Sequence, residues 1–199
     1  MVKQCDGRKI ELSPERLEKL EEYAQQLINW NGLSLIGKST HDDVFGWHIN
    51  DAISIFNIVE EIAQERPGIT FVDFGAGGGV LGISLAIAGI ENIALVERSE
   101  TKANFLRNIM KFKQVYSSCN DIVDANEICL LVRGVSSITK TLQAASVERI
   151  TNAVFLKSYD SYREMKEAKR YWNFAHKMYP RVARAAGKIV ALQEISKKG

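Results

Sequence analysis

The chain has 199 residues, a length that fits one ordinary domain, and its 46% hydrophobic and 25% charged residues with only 3 prolines exclude a disordered or collagen-like protein. The longest uncharged stretch, Phe74 to Ile90, is 17 residues with six glycines, short of the ~20 apolar residues that a membrane span needs. The net charge of +2 conceals an asymmetry, because residues 1–100 hold 8 Lys and Arg against 16 Asp and Glu whereas residues 101–199 hold 18 against 8, so the second half suits a polyanion.

The opening segment, MVKQCDGRKIEL, is charged throughout and lacks the apolar core of a signal peptide, so a cytoplasmic protein is expected. Cys5, Cys119 and Cys129 are odd in number and widely spaced, which fits neither a disulfide framework nor paired zinc ligands, and no metal is expected. Ser13 and Pro14 have the form of an N-cap and first helical residue. Leu17, Leu20, Tyr23, Leu27 and Trp30 then recur at helical spacing and predict a helix ending near Gly32. Ala52, Ile53, Phe56, Val59 and Ile62 predict a second helix over 49–63, broken by Pro67-Gly68. Residues 13–65 are thus expected to be a helical segment packed on the remainder of the domain.

From there the pattern changes to short apolar runs at 69–74, 93–97, 128–132, 153–156 and 188–192, each reading as a buried strand. Between the first two lies an apolar helix, 80–88, and after the second an amphipathic one with Ala103, Leu106, Ile109 and Met110 inward and Lys102, Arg107, Lys111 and Lys113 outward. Tyr162, Met165, Ala168 and Trp172 form a further stripe at helical spacing, expected to face the core. Strands alternating with helices predict a parallel sheet in a doubly wound, Rossmann-like α/β fold of about seven strands over 66–199, one domain with the helical segment.

Asp73-Phe74-Gly75-Ala76-Gly77-Gly78-Gly79 ends the first strand and leads directly into a helix. Glycines there let the backbone approach a ligand closely, and a helix amino terminus offers free N–H groups. Glu97 closes the second strand 18 residues after Gly79, where a carboxylate can accept hydrogen bonds from both hydroxyls of a ribose. Loop and acid together point to an adenosine-containing cofactor. Gly77-Gly78-Gly79-Val80-Leu81-Gly82 also satisfies GxGxxG, so a nicotinamide or flavin oxidoreductase stays open. The acid two residues before the first glycine favours S-adenosylmethionine, since Asp73-x-Gly75-x-Gly77-x-Gly79 resembles the loop of Rossmann-like methyltransferases.

The flanks carry a more specific resemblance. Trp30-Asn31, Trp47-His48-Ile49-Asn50-Asp51, Phe71 to Gly75, Gly82 to Ala86, Phe105-Leu106-Arg107 and Phe155-Leu156-Lys157 resemble, in order and spacing, the segments of the glucose-inhibited division protein B family. That resemblance implies a class I methyltransferase fold and S-adenosylmethionine-dependent methylation of a guanine N7 in bacterial small-subunit ribosomal RNA. It implies cofactor contacts from Asp73, Gly75, Gly77, Gly79 and Val80, with Glu97 on the ribose, Asp121 and Ile122 beside the adenine and Arg133 near the methionine end. The chain departs from the family pattern at Leu81, where a proline is usual, at Trp47, where an arginine is, and at Gly187, where an arginine is common. These departures keep a third class open, a relative that binds RNA without turnover.

Guanine N7 has a lone pair and no proton, so methyl transfer to it needs alignment and desolvation but no general base. The sequence contains neither the Pro-Pro-aromatic motif suited to exocyclic amines nor a Pro-Cys for attack on a pyrimidine ring. His48 beside Asp51 has the look of an acid/base pair, but a structural histidine is the expectation. Lys157, at a strand's carboxyl end, is the candidate for positioning guanine or phosphate. Lys102, Arg107, Lys111, Lys157, Arg181 and Arg184 are expected to form one positive face for the RNA or a 30S particle around the cofactor opening, on a monomer.

Overall fold

A hairpin of β1 (Val2–Lys3) and β2 (Lys9–Ile10) opens the chain in the computed structural model, which describes residues 2–30, 40–112, 114–134, 136–145, 148–158, 160–182 and 187–199. Helix α1 (Pro14–Asn29) starts as its sequence predicts, with the Ser13 side chain accepting from the Arg16 N–H. Its buried stripe is Leu20, Tyr23, Ala24 and Leu27, whereas Leu17 and Trp30, expected on that stripe, are 37% and 47% exposed. Asn31, Gly32, Lys113 and Arg184 lie outside the described residues, as does the Met110 side chain.

The second predicted helix, 49–63, is in fact two, α3 (Asn50–Ile53) and α4 (Phe56–Glu65), and it is preceded by α2 (His41–Asp43) and a π-helical turn (Val44–Ile49). The Asn50 N–H bonds back to the Phe45 carbonyl, five residues away. The Ser54 hydroxyl donates to the Asp51 carbonyl at 2.7 Å, a local bond of the kind that competes with helix continuation, and the chain turns before α4.

Strand β3 (Thr70–Phe74), α5 (Val80–Ala88), β4 (Ile93–Val96), α6 (Glu100–Asn108), β5 (Val115–Tyr116), β6 (Ile128–Arg133), α7 (Ile138–Ala145), β7 (Ile150–Lys157), α8 (Ser161–Ala168), β8 (Trp172–Pro180) and β9 (Lys188–Lys197) complete the fold. The seven-stranded sheet has the order β5-β4-β3-β6-β7-β9-β8. Its first five strands are parallel as expected, but β9 runs antiparallel to both β7 and β8. Strands β8 and β9 are joined by a short connection with no room for a crossover helix, which forces a hairpin. The stripe predicted through Trp172 is corrected accordingly: α8 ends at Ala168, Trp172 opens β8, and Tyr162 is 70% exposed. Met165, Ala168 and Trp172 are still buried together.

Alternation along the strands divides the core in two. Phe71, Cys129, Leu131, Val154 and Leu156 face α1, α3, α4, α5 and α6, while Val72, Leu130, Val132, Ala153 and Phe155 face α7 and α8. The helical segment is therefore part of one of the two layers that cover the sheet. This parity decides where the polar residues at the strand ends point.

Candidate cofactor and substrate site

The carboxyl ends of β3, β4 and β6 converge on the glycine loop. The Gly75 and Ala76 N–H groups both donate to the Val96 carbonyl, at 2.9 and 3.0 Å, so the end of β4 holds the loop's entry. The loop then turns through left-handed backbone at Gly75, Gly77 and Gly79, with φ of +77°, +59° and +79°, a region costly to residues with a Cβ. On the far side, the Tyr23 hydroxyl of α1 donates to the Gly78 carbonyl at 2.9 Å. Tyr23 is fully buried, and that burial, with Asp73 nearby, pushes its pKa well up.

Asp73 has a structural task that explains its place in the motif. Gly79 is the N-cap of α5 but has no side chain with which to cap it. The Asp73 carboxylate reaches across and accepts from the Gly82 N–H at 2.8 Å, satisfying one donor of that first turn. Asp73 is 3% exposed, and burial raises its pKa to about 6 against the opposing pull of the Gly82 bond and Arg133. Gly82 is glycine because α5 lies close to the sheet: a Cβ would fall 2.5 Å from a Leu95 methyl and 3.0 Å from the Asp73 Cβ. The last glycine of the GxGxxG pattern is thus accounted for by helix-on-sheet packing.

Gly77 is different. A Cβ there would meet no atom within 4 Å, so its open side leaves room for a ligand to lie against the backbone. Half-buried Glu97 sits beside it, accepting from the Gly77 N–H at 2.9 Å and the Ser99 N–H at 2.8 Å. A carboxylate, an open glycine backbone and a helix amino terminus in contact are what a ribose-bearing methyl donor needs, so these residues fit S-adenosylmethionine. Ile122 is buried next to β4 in the second core cluster. The Asp121 carboxylate is used by its own turn, accepting from the Ser117 hydroxyl at 2.7 Å and the Ser118 N–H at 2.9 Å, and these bonds hold its pKa below the usual range. Any contact from Asp121 to an adenine therefore falls to its backbone.

Arg133 follows Leu131 by two residues, so parity turns it toward the helical segment. Its guanidinium donates to the His48 carbonyl at 3.0 Å and lies 3.6 Å from Asp51. Burial lowers its pKa, with Asp51 and Asp73 acting in the opposite direction. Asp51, 2% exposed, is also gripped by Arg181, at 2.9 Å from Nε and 2.5 Å from Nη2. Trp47, His48, Asp51, Arg133, Gly134, Ser158 and Arg181 line a pocket of about 270 Å³.

The expected positive face requires three corrections. Arg181 is not on the surface, because its side chain is 7% exposed and neutralises Asp51. Lys157 points the other way from Arg133: it follows Phe155 by two, so it faces α8, where Glu164 pairs with it at 2.9 Å and the Ser136 carbonyl accepts from it at 3.1 Å. Arg107 is exposed but bonds Glu100 and Asn104, each at 2.9 Å, while Lys102 is half-buried and Lys111 exposed. Gly187 has no room for a side chain, since a Cβ would come 2.8 Å from the Lys157 carbonyl and 2.9 Å from Arg181 Cδ. Sequence reasoning missed the task of Tyr23 and the Asp51–Arg181 pair, whose partners are far apart along the chain.

Residues 16–192 match the GidB family, rRNA small subunit methyltransferase G. The protein named ribosomal RNA small subunit methyltransferase G from Rhodopseudomonas palustris (strain BisA53) is 28% identical, over 94% of this chain and 84% of its own length. Its namesake from Paramagnetospirillum magneticum is 26% identical, over 94% and 92%. Magnesium protoporphyrin IX methyltransferase from Synechocystis PCC 6803, solved with bound SAM, superposes with a TM-score of 0.52 over 94% of this chain and 100% of that one, at 13% identity, a likeness of fold alone. The chain therefore belongs to the rRNA small subunit methyltransferase G family.

Proposed function

We propose that this protein transfers the methyl group of S-adenosylmethionine to N7 of a guanine in small-subunit ribosomal RNA, acting as a cytoplasmic monomer on the RNA or on a 30S particle. The family match along residues 16–192 carries this reading. The site's geometry makes it chemically workable. Glu97 and the open side of Gly77 would hold the ribose, Ile122 would border the adenine, and Arg133 would meet the methionine carboxylate. When bound, S-adenosylmethionine supplies an electrophilic methyl group on a sulfonium sulfur.

The chain's own residues then have to orient the base and keep water out. Asp51 is already neutralised by Arg181, which leaves Arg133 donors for an anionic ligand group. The 270 Å³ pocket beside Arg133 is roomy enough for one extruded base, and Trp47, 58% exposed at its rim, offers an indole face for stacking. No side chain has to remove a proton. The family match along residues 16–192 does not favour the dinucleotide alternative, whose last glycine, Gly82, serves helix-on-sheet packing in either reading. Labelled methyl transfer to small-subunit RNA from a strain lacking the gene, followed by mapping of the modified atom, tests the proposal. Methylation at guanine N7 is expected; transfer to another atom, or calorimetric binding of NAD in place of S-adenosylhomocysteine, overturns it.

A further inference from the structure

Removing Arg181 from the expected face raises the question of where the basic charge of the second half goes. Residues 169–199 contain eight Lys and Arg against one acid, Glu194. Arg181 is committed to Asp51, and Arg184 lies outside the described residues. Of the other six, Lys169, Arg170, Lys177, Lys197 and Lys198 are exposed and Lys188 is half-buried. Among the described residues none of the six forms an ion pair, in contrast to Arg8, Lys19, Arg66, Arg107 and Lys157.

Topology puts the strand residues among them along one edge of the sheet but on both of its faces: Lys177 opposes Ala191 on the α1 side, whereas Lys188 and Lys197 share the α8 side with Val190 and Trp172. Strand β8 is an edge of the sheet, and Lys188 opposes Pro180, Ala191 opposes Lys177 and Lys197 opposes Trp172 along its pairing with β9. Lys188 also opposes Lys157, at the end of the sheet where the cofactor loop lies. Lys197 is nine residues further, roughly 30 Å away at strand rise. At that far end Lys198 Nζ donates to the Lys169 carbonyl at 2.7 Å, and Lys169 Nζ lies 5.8 Å from the centre of the Phe174 ring. Lys169, Phe174 and Lys198 line a cleft of about 560 Å³ there.

We propose that this edge is a second RNA surface, a basic track along the edge with Lys188 and Lys197 on one face of the sheet, Lys177 on the other and Lys198 at the far end, that holds ribosomal RNA phosphates up to roughly 30 Å from the methylated base. The inference rests on the proposed ribosomal RNA substrate. Lysines on an edge strand also prevent edge-to-edge association, and glutamate would serve that purpose equally well while repelling RNA. Charge reversal therefore separates the two explanations.

The test compares the wild-type chain with the triple variant Lys177→Glu, Lys197→Glu, Lys198→Glu, the same three positions changed to Arg, and a control with equal charge change elsewhere, Lys3→Glu, Lys9→Glu, Lys140→Glu. KM for small-subunit RNA is measured against salt, with S-adenosylhomocysteine affinity and melting temperature as folding controls. The triple reversal is expected to raise the RNA KM by about tenfold or more and to flatten the salt slope by about 2, three phosphate contacts at roughly 0.7 each. The arginine variant should match wild type, and the control should change KM far less. Methyl transfer with an unchanged RNA KM and slope in the triple reversal, or an equal loss in the control, overturns the track alone. Absence of transfer by the wild type to any small-subunit RNA overturns the substrate reading and the track with it.

Discussion

Asp73→Asn isolates the tension between the cap that Asp73 provides and the burial that it suffers. The carboxylate is 3% exposed and its pKa is raised from 3.8 to about 6, with desolvation as the largest cause. A folded-state pKa above the unfolded one means that the native protein binds the proton more tightly, so this group's contribution is most favourable below pH 4 and is lost as pH rises through 6. A rise from 3.8 to about 6 is equivalent to about 3 kcal/mol at neutral pH, since a tenfold change in proton affinity is about 1.4 kcal/mol. Asparagine keeps an oxygen for the Gly82 N–H and carries no charge, but its amide N–H₂ needs acceptors, which offsets about 1 kcal/mol of the gain. Asp73→Asn should therefore be more stable than wild type by about 2 kcal/mol at pH 7.5 and lose that advantage by pH 4. Urea unfolding of both proteins at several pH values gives a difference curve in which other titrating groups cancel. A flat curve, or one in which wild type gains relative stability with rising pH, would refute the reasoning and show that the α5 amino terminus and Arg133 outweigh burial.

Three other substitutions test the rest of the site. Gly77→Val should lose about 1–2 kcal/mol of stability from its positive φ and abolish S-adenosylhomocysteine binding in calorimetry, because the side chain fills the open flank; retained affinity would move the site elsewhere. Tyr23→Phe removes the bond to the Gly78 carbonyl, worth about 1 kcal/mol, and should weaken S-adenosylhomocysteine about fivefold with RNA affinity unchanged. Arg181→Ala leaves Asp51 with Arg133 alone at 3.6 Å and should cost about 3 kcal/mol in chemical unfolding, with Arg181→Lys recovering part of it; a neutral result would mean that water takes over the pairing.

The core of the sheet is legible in the sequence because its strands are apolar runs bounded by turns: the observed β6, β7 and β9 contain the predicted segments, and β3 and β4 fall one residue short of theirs, at Ile69 and Glu97. Strand β8 is not legible. Asn173, Ala175, His176 and Lys177 are exposed, as an edge strand allows, so no apolar run marks it, and the spacing of Met165, Ala168 and Trp172 imitates a helix. The split of the second helix is hidden for a related reason: Ile53 and Phe56 stand three residues apart on either side of the turn at Ser54, so the apolar spacing runs through it unchanged. The glycine loop announces a close approach of backbone to something, but the sequence does not distinguish a ligand from a neighbouring strand. The structure separates them, since Gly77 is open whereas Gly82 is closed by Leu95.

Distance along the chain conceals most of the remainder. Asp51 and Arg181 are 130 residues apart, and Tyr23 and Gly78 are 55 apart, so neither pair leaves a local pattern. Strand parity supplies part of the answer. Arg133 is two residues beyond Leu131 and Lys157 two beyond Phe155, and those apolar partners sit on opposite faces of the sheet. Two cations at adjacent strand ends therefore have different tasks. Arg133 turns to the layer that contains α1 and α3, where it meets Asp51 and the pocket; Lys157 turns to α8, where Glu164 bonds both its ammonium and the Ile138 N–H at the start of α7. The helical segment is thus as much a part of the site as the glycine loop: it provides the hydroxyl that fixes Gly78, the carbonyl that orients Arg133, and the carboxylate that binds both arginines. Loosening that segment should impair cofactor binding even where no residue touching the cofactor has changed, which is the dependence that Tyr23→Phe measures.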